Sequence, residues 1–336
     1  MEVAASHRQI LVAEQSQVSS ARFAARDAAE AAGFGETDAY RAGIVATELA
    51  TNLVRHASGG EVLVRCARRV APGEIEIISI DRGPGVADVS QSLTDGHSTG
   101  GTSGTGLGAV RRLSDGFDIY SEPGRGTAVL SRLRADRATS APRGMHIAGV
   151  SVAKSGEEVC GDAWQTASHP DGVLIAVIDG LGHGLFAHEA AVAAIAAIDV
   201  RRDGGVAERL QEIHEGLRAT RGAAGAVADI RPRQGIVNFA GIGNISGTLF
   251  GARGQRHVVS LNGTLGHEAR QFREYSYPWE PTDVVVLYSD GLTSHWTLDD
   301  RRGLRQHDPA LVAAVLYRDF SRQRDDVTVV VGKETA

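Results

Sequence analysis

Cysteine is nearly absent. The 336 residues hold two, Cys66 and Cys160, far apart in the chain. That excludes a disulfide framework and a paired-thiolate metal site, and it fits a reducing compartment, so a cytoplasmic location is expected. No apolar run approaches the ~18 residues that a membrane span needs. The opening MEVAASHRQILVAEQ lacks a basic stretch leading into an apolar one, so no secretory signal is expected. No block of basic residues occurs and the formal net charge is −6, which argues against a nucleic-acid partner. No internal repeat relates one part of the chain to another.

What is present reads as ordinary globular protein, with 42% hydrophobic and 23% charged residues. At roughly 100–200 residues per domain, the length suggests two domains. Glycine is plentiful, at 41 residues. Without a Gly-X-Y period, this excess marks turns and backbone-lined binding loops.

A polar stretch, RADRATSAPRG at 134–144, shows neither strand nor helix periodicity and carries Pro142 and Gly144. It divides the chain into a domain over 1–135, a linker over 136–144 and a domain over 145–336. In the first domain, Ser19/Ser20 are expected to cap a helix that stops at Gly33. A second helix is predicted over 38–55, with Val45, Leu49 and Leu53 on one stripe. Strands are predicted at 61–66, 74–80 and 127–133, a mobile loop at 88–105, and a third helix from Leu107. In the second domain, strands are predicted at 146–151, 173–178, 235–239, 247–250, 257–261, 283–288 and 327–331. Helices are predicted at 185–201, 206–218 and 309–320. The mixture indicates an α+β chain of layered sheets and helices.

Three features of the first domain stand in a telling order. Glu48 and Asn52 share one helical face, where a carboxylate and an amide oxygen can hold a cation or accept a proton. Asp81-Arg-Gly83-Pro-Gly85 follows an apolar strand: the carboxylate can accept from a base amino group, and the glycines admit a flat ring. Gly104-Thr-Gly106-Leu-Gly108 opens a helix whose free N–H groups suit phosphate, although it lacks the lysine of a Walker loop and the spacing of the dinucleotide fingerprint. Any one of these is an ordinary helix face, turn or loop. Together they resemble the N, G1 and G2 boxes of the GHKL ATPase/kinase superfamily, and Gly126-Thr127 resembles its last nucleotide-contacting turn. Within it, the chain is similar to the small serine kinases of bacterial partner switching, the RsbT/RsbW type. The resemblance implies that Asn52 ligates Mg²⁺ with ATP and Glu48 activates the attacking hydroxyl. It implies that Asp81 holds the adenine amino group, with Gly83, Gly85, Gly104, Gly106, Gly108 and Thr127 lining the nucleotide. A sensor histidine kinase would need a helical dimerisation segment ahead of this region, and none is expected. His56 is read as a helix-end residue.

The second domain places Asp162, Asp179, Asp290 and Asp325 at strand ends or turns. Single Asp-Gly pairs are common turn chemistry. Four such aspartates, three beside strongly apolar strands, suit hard oxygen ligands around Mg²⁺ or Mn²⁺. DGLGHG at 179–184, SDGL at 289–292 and DDVT at 325–328 resemble, in order, the SpoIIE/RsbX branch of the PPM (PP2C-like) serine/threonine phosphatases, and GIGN at 241–244 resembles that branch's GxGN turn. That resemblance implies two metal ions held by Asp162, Asp179, Asp290, Asp325 and the Gly180 carbonyl, with Asp179 and Asp290 catalytic. No arginine stands where members elsewhere in the family grip phosphate, and Lys154 is a poor substitute. His183 is read as structural, and Trp164 and Trp296 as core or rim aromatics.

The combined resemblance implies a GHKL (Bergerat) α/β sandwich followed by a PP2C-like αββα sandwich. It implies a bifunctional kinase and phosphatase acting on a STAS-domain protein, with a sigma factor or downstream phosphatase as further partners. The competing expectation is a first domain that only binds ATP, to sequester or regulate, beside an active phosphatase. A monomer is expected, with gating at 88–105 or at the 134–144 stretch.

Overall fold

The computed structural model describes residues 5–67, 73–93, 106–136, 144–198 and 204–335. Gly104, most of the 88–105 loop and most of the 134–144 stretch lie outside these. Two compact units form: His7–Ala141 with Gln306–Arg318, and Met1–Ser6 with Pro142–Arg305 and Asp319–Ala336.

In the first unit, β1 (Arg8–Val12), α1 (Gln15–Ala31), α2 (Glu36–His56), β2 (Gly60–Ala67) and β3 (Glu74–Ile80) are followed by α3 (Val89–Ser92), α4 (Gly106–Leu113), β4 (Gly116–Glu122) and β5 (Gly126–Arg134). The strands form one antiparallel sheet in the order β1-β2-β3-β5-β4. Alternation decides its faces. Val62, Val64, Ile75, Ile77, Val129 and Leu133 face the helices, where the predicted Val45/Leu49/Leu53 stripe of α2 and the alanines of α1 cover them. Helix α1 begins before the expected serine cap. The Gln17 side chain accepts the N–H groups of Ala13 and Glu14 at 2.6 and 3.0 Å, which closes the helix start a turn and more earlier.

The other face of this sheet carries Leu63, Ile78 and Leu130, interleaved with Glu61, Glu76 and Arg132, all buried. Gln306–Arg318 packs there, although it lies within the segment expected to form the second domain. Arg132 makes a forked pair with Asp308 at 2.5 and 2.7 Å. The Asp308 N–H donates to Asp118 at 2.7 Å. The Tyr317 hydroxyl donates to Glu61 at 3.1 Å and accepts from Gln9 at 3.0 Å.

The second unit runs β6 (Gly144–Val152), β7 (Asp162–His169), β8 (Gly172–Gly180), α5 (Leu185–Ala196), α6 (Val206–Gly216), β9 (Ala223–Arg231), β10 (Ile236–Ile242), β11 (Ser246–Gly251), β12 (Gly254–His257), β13 (Tyr275–Pro278) and β14 (Val284–Tyr288). After α7 (Pro309–Phe320), of which only the last two residues belong here, β15 (Val327–Thr335) ends it. Two antiparallel sheets result, β13-β10-β9-β8-β7 and β12-β11-β14-β15-β6. They share a core of Ile175, Val177, Ala228, Phe239, Leu249, Leu287 and Val330. α5 and α6 cover the far face of the first sheet through Ala191, Ile195, Leu210 and Ile213. Two expectations shift. The strand predicted at 257–261 lies earlier, because Gly254 at φ +86° turns the chain and pairs β12 with β11. The helix predicted over 185–201 ends at Ala196. Among the described residues no helix is long and apolar enough to cross a membrane.

Candidate active sites

In the first unit, Glu48 and Asn52 sit one turn apart on α2. Gly106, the first residue of α4, lies against both: a Cβ on it would come 3.2 Å from Glu48 Oε2 and 3.4 Å from Asn52 Oδ1. The helix start that is to offer N–H groups to phosphate therefore abuts the carboxylate and the amide. Asn52 Nδ2 is buried without a hydrogen-bond partner among the described residues. Turning the amide presents its oxygen there instead, so the position fits a cation as well as an acceptor.

Asp81 leaves the end of β3. Its Oδ1 accepts the N–H groups of Gly83 at 2.7 Å and Thr127 at 3.2 Å. Gly126, at φ +93°, passes so close to the Asp81 carbonyl that any Cβ would collide with it. Gly83 lies against Ala57, just past the end of α2, so the Asp81 turn and the Glu48/Asn52 face border the same helix. Burial pushes the Asp81 carboxyl above its ordinary range, against the two N–H donors and the nearby Arg318 charge. Arg318 also donates to the Asp81 carbonyl at 3.1 Å. Gly85 keeps φ +72° beside Glu122, and Gly108 is buried within α4.

In the second unit, Asp162 and Asp179 are direct cross-strand partners on β7 and β8. The loops leaving β14 and entering β15 supply Asp290 and Asp325, and Ser289 N–H to Thr328 O at 3.0 Å holds those loops together. The Ser289 hydroxyl donates to Asp162 at 2.6 Å, joining the edge strand of one sheet to the centre of the other. Asn244, in the GIGN turn, donates to Asp290 at 2.8 Å. Gly180 packs where a Cβ would strike the Ala187 carbonyl.

The carboxylates crowd one another. Burial, then Asp290 and Asp325, raise the Asp179 carboxyl to about 7. Burial and Asp179 hold Asp162 well above the usual range. Asp162 Oδ1 and Asp326 Oδ2 are buried with no hydrogen-bond partner among the described residues. Orphaned carboxylate oxygens crowded by like charge are what a hard divalent cation satisfies. Among the described residues no three His, Cys, Asp or Glu side chains converge on one point. Mg²⁺ needs no such triad, because one or two carboxylates plus water hold it, and pairs of carboxylates are what this cluster offers. The residues fit the group.

Asp326 escaped the sequence reading. It is the second aspartate of DDVT, is 3% exposed, and accepts the Lys154 N–H at 2.9 Å. The doubled aspartate was its only signal. A cleft of about 370 Å³ is lined by Asp290, Asp325, Arg322 and Arg324, and neither arginine stood out in the sequence. His183 pairs with Glu157 at 2.6 Å on the surface. Trp164 and Trp296 are core residues, the latter among Phe250, Tyr288 and Phe320.

Residues 11–132 match the family model of the histidine kinase-like ATPase domain, and residues 169–333 that of the stage II sporulation protein E (SpoIIE). The chain is similar to the serine/threonine-protein kinase RsbT of Bacillus subtilis (strain 168), 36% identical over 109 residues that cover 32% of this chain and 82% of RsbT. It is also similar to the phosphoserine phosphatase RsbX of the same organism, 21% identical over 182 residues that cover 54% of this chain and 90% of RsbX. A solved structure from work on the bacterial stressosome, as a modular system adapted to control secondary messenger signalling, is 28% identical with a TM-score of 0.52, over 56% of this chain and 99% of the other.

Proposed function

Because the chain belongs to the RsbT family of GHKL-like serine/threonine kinases through its first unit and carries a SpoIIE-type, PP2C-like phosphatase domain in its second, we propose that it is a bifunctional partner-switching regulator in the cytoplasm. It phosphorylates a serine or threonine of a STAS-type protein with ATP and removes the same phosphate. A sigma factor or downstream phosphatase is a further partner. The kinase is built from 1–135 completed by Gln306–Arg318, and the phosphatase from the rest of 145–336.

In the forward direction Glu48 accepts the proton of the substrate hydroxyl as its oxygen bonds to the γ-phosphorus and the bond to the bridging oxygen of ADP breaks. Asn52 would hold the Mg²⁺ that accompanies ATP. Asp81 accepts the adenine amino N–H, Gly83, Gly85 and Thr127 border the base, and the N–H groups at Gly106 and Gly108 face the phosphates. In reverse, Asp162, Asp179, Asp290, Asp325 and the Gly180 carbonyl would hold two Mg²⁺ or Mn²⁺ ions. When bound, such ions lower the pKa of a water and neutralise phosphate charge. A water gives up a proton as its oxygen bonds to phosphorus, the bond from phosphorus to the seryl or threonyl oxygen breaks, and that oxygen takes up a proton. Asn244 and Ser289 keep Asp290 and Asp162 oriented.

The observation that carries this reading is the presence in one chain of Gly106 against Glu48 and Asn52 and, in the other unit, of a crowded aspartate cluster with orphaned oxygens. The test uses Asp290→Ala chain, γ-labelled ATP, Mg²⁺ and a purified STAS-domain protein. Label should appear on that protein and disappear on adding wild-type chain with Mn²⁺. ATP binding without any transfer would favour the reading in which the first unit only binds nucleotide.

A further inference from the structure

We propose that Arg322 and Arg324 bind the phosphoryl group of the phosphoserine or phosphothreonine residue presented to the second unit. The inference rests on the phosphatase reading and adds to it the substrate-gripping side chains for which the sequence offers no candidate at the family's usual position.

The two arginines line the same cleft as Asp290 and Asp325. Their placement is anchored to the aspartate loop. Arg322 N–H donates to the Gly291 carbonyl at 2.8 Å, and Leu292 bridges Ser321, so the backbone carrying Arg322 is pinned to the residues that follow Asp290. Gln323 N–H donates to the Ser321 hydroxyl at 3.2 Å, and Gln323 adopts φ +55°, one of two non-glycine residues in the described chain to do so. That left-handed turn, which costs of order 1 kcal/mol or more, carries the chain from Arg322 to Arg324 along the cleft wall.

Neither guanidinium is engaged by another described residue. Arg209, Arg231, Arg253, Arg256, Arg301 and Arg305 of this unit each pair with a carboxylate. Arg322 and Arg324 are exposed and pair with no described residue, although two carboxylates share their cleft. Those carboxylates have other partners: Asp290 takes Asn244, and Asp325 takes the Asp326 N–H at 3.0 Å.

Charge supplies the reason. A phosphorylated side chain brings about −1.5 to −2 charges, and a cleft walled by aspartate alone would repel it. Two planar guanidinium forks match phosphate oxygens bidentately. The cleft therefore has a carboxylate side for cations and a guanidinium side for the phosphoryl oxygens. The same forks would hold inorganic phosphate, the product, so both ligands serve as probes.

The test uses the full chain with Mg²⁺ or Mn²⁺ and the variants Arg322→Ala, Arg324→Ala, the double variant and Arg322→Lys. Arg253→Ala, a remote exposed arginine, is the control. Three quantities are read: calorimetric affinity for inorganic phosphate with Mg²⁺ present, KM and kcat for a phosphoserine peptide, and Mg²⁺ affinity without phosphate. Each alanine variant should raise KM and weaken phosphate binding in parallel, by roughly 5- to 20-fold, with kcat within about threefold. The double variant should lose more than either, Arg322→Lys should restore part of the loss, and Mg²⁺ affinity and Arg253→Ala should stay unchanged. Unchanged KM and phosphate affinity in the double variant overturns the proposal. So does a variant whose only change is in Mg²⁺ affinity, since that assigns the arginines to the aspartate loop. Parallel losses for phosphate but not for the peptide overturn the substrate role and leave a product site. If the wild-type chain hydrolyses nothing, the phosphatase reading fails on its own, and the phosphate titration still decides the arginines.

Discussion

Asp162 and Asp179 oppose each other across an antiparallel pair, an arrangement that destabilises a sheet when both are charged. Asp162→Asn should therefore raise the thermal stability of metal-free protein, by roughly 1 kcal/mol, while weakening the stabilisation that Mn²⁺ provides. Melting curves with chelator and with Mn²⁺ check both signs; a less stable metal-free variant that still responds fully to Mn²⁺ would remove Asp162 from the ligand set. Glu48 predicts a different signature. Glu48→Ala should cut phosphotransfer by roughly 10²–10⁴-fold and leave ATP affinity nearly intact, read by label transfer and nucleotide titration. Glu76 bears on stability alone. It is buried with His7 at 3.2 Å and Arg65 and Arg132 at 2.9 Å. Burial pushes its carboxyl up, but the two guanidinium groups and His7 outweigh that and hold it well below 4.5. A lowered folded-state pKa means that its contribution is present above pH 4.5 and is lost as pH falls through the lowered value. Glu76→Gln should reduce stability at neutral pH by roughly 3–5 kcal/mol and flatten the acid limb of a stability-versus-pH curve.

The element that departs most from sequence expectation is α7. Its limits agree with the predicted 309–320, yet its partners were not legible, because its apolar composition is compatible with either core. What assigns Gln306–Arg318 to the first unit is a set of long-range pairs: Asp308 with Arg132, His307 with Asp118, Tyr317 with Glu61. A chain cut at 141 should lack the cover for Leu63, Ile78 and Leu130, bind a hydrophobic dye and unfold at lower denaturant. A peptide spanning 304–320 should reverse both effects, and failure to do so would mean that the sheet face is stable uncovered. Strands with β-branched runs, such as EIEIISI and VVVLY, were plain in the sequence. β9, AAGAVADIR, was not: its alanines and glycine favour no strand, and it is one because Ala226, Val227 and Ala228 pack between β8, β10 and the layers on either side. The site divides the same way. The candidates Glu48, Asn52, Asp81 and the four aspartates were read from motif order. Arg322 and Arg324, and what Ser289 and Asp326 do within their motifs, become visible only when the ends of β7, β14 and β15 meet.

Across the whole molecule, the proposed writing and erasing of one phosphate would make a cycle whose net result is ATP hydrolysis. Wild-type chain given ATP, Mg²⁺ and its substrate protein should release inorganic phosphate continuously. Glu48→Ala and Asp290→Ala should each stop that release, the first leaving substrate bare and the second leaving it phosphorylated. Release that persists without substrate protein would point to a simple ATPase.

The residence of Gln306–Arg318 in the first unit also has a consequence for synthesis. A ribosome that has finished the nucleotide site has not supplied the segment that closes its sheet. At roughly 5–20 residues per second, the wait for Arg318 is on the order of ten seconds or more. Meanwhile the buried charge of Glu61 and the apolar face around Leu63 stand open, a surface for chaperones. A prematurely terminated chain never completes the unit. The first unit therefore cannot close until nearly all of the second unit's sequence has been made.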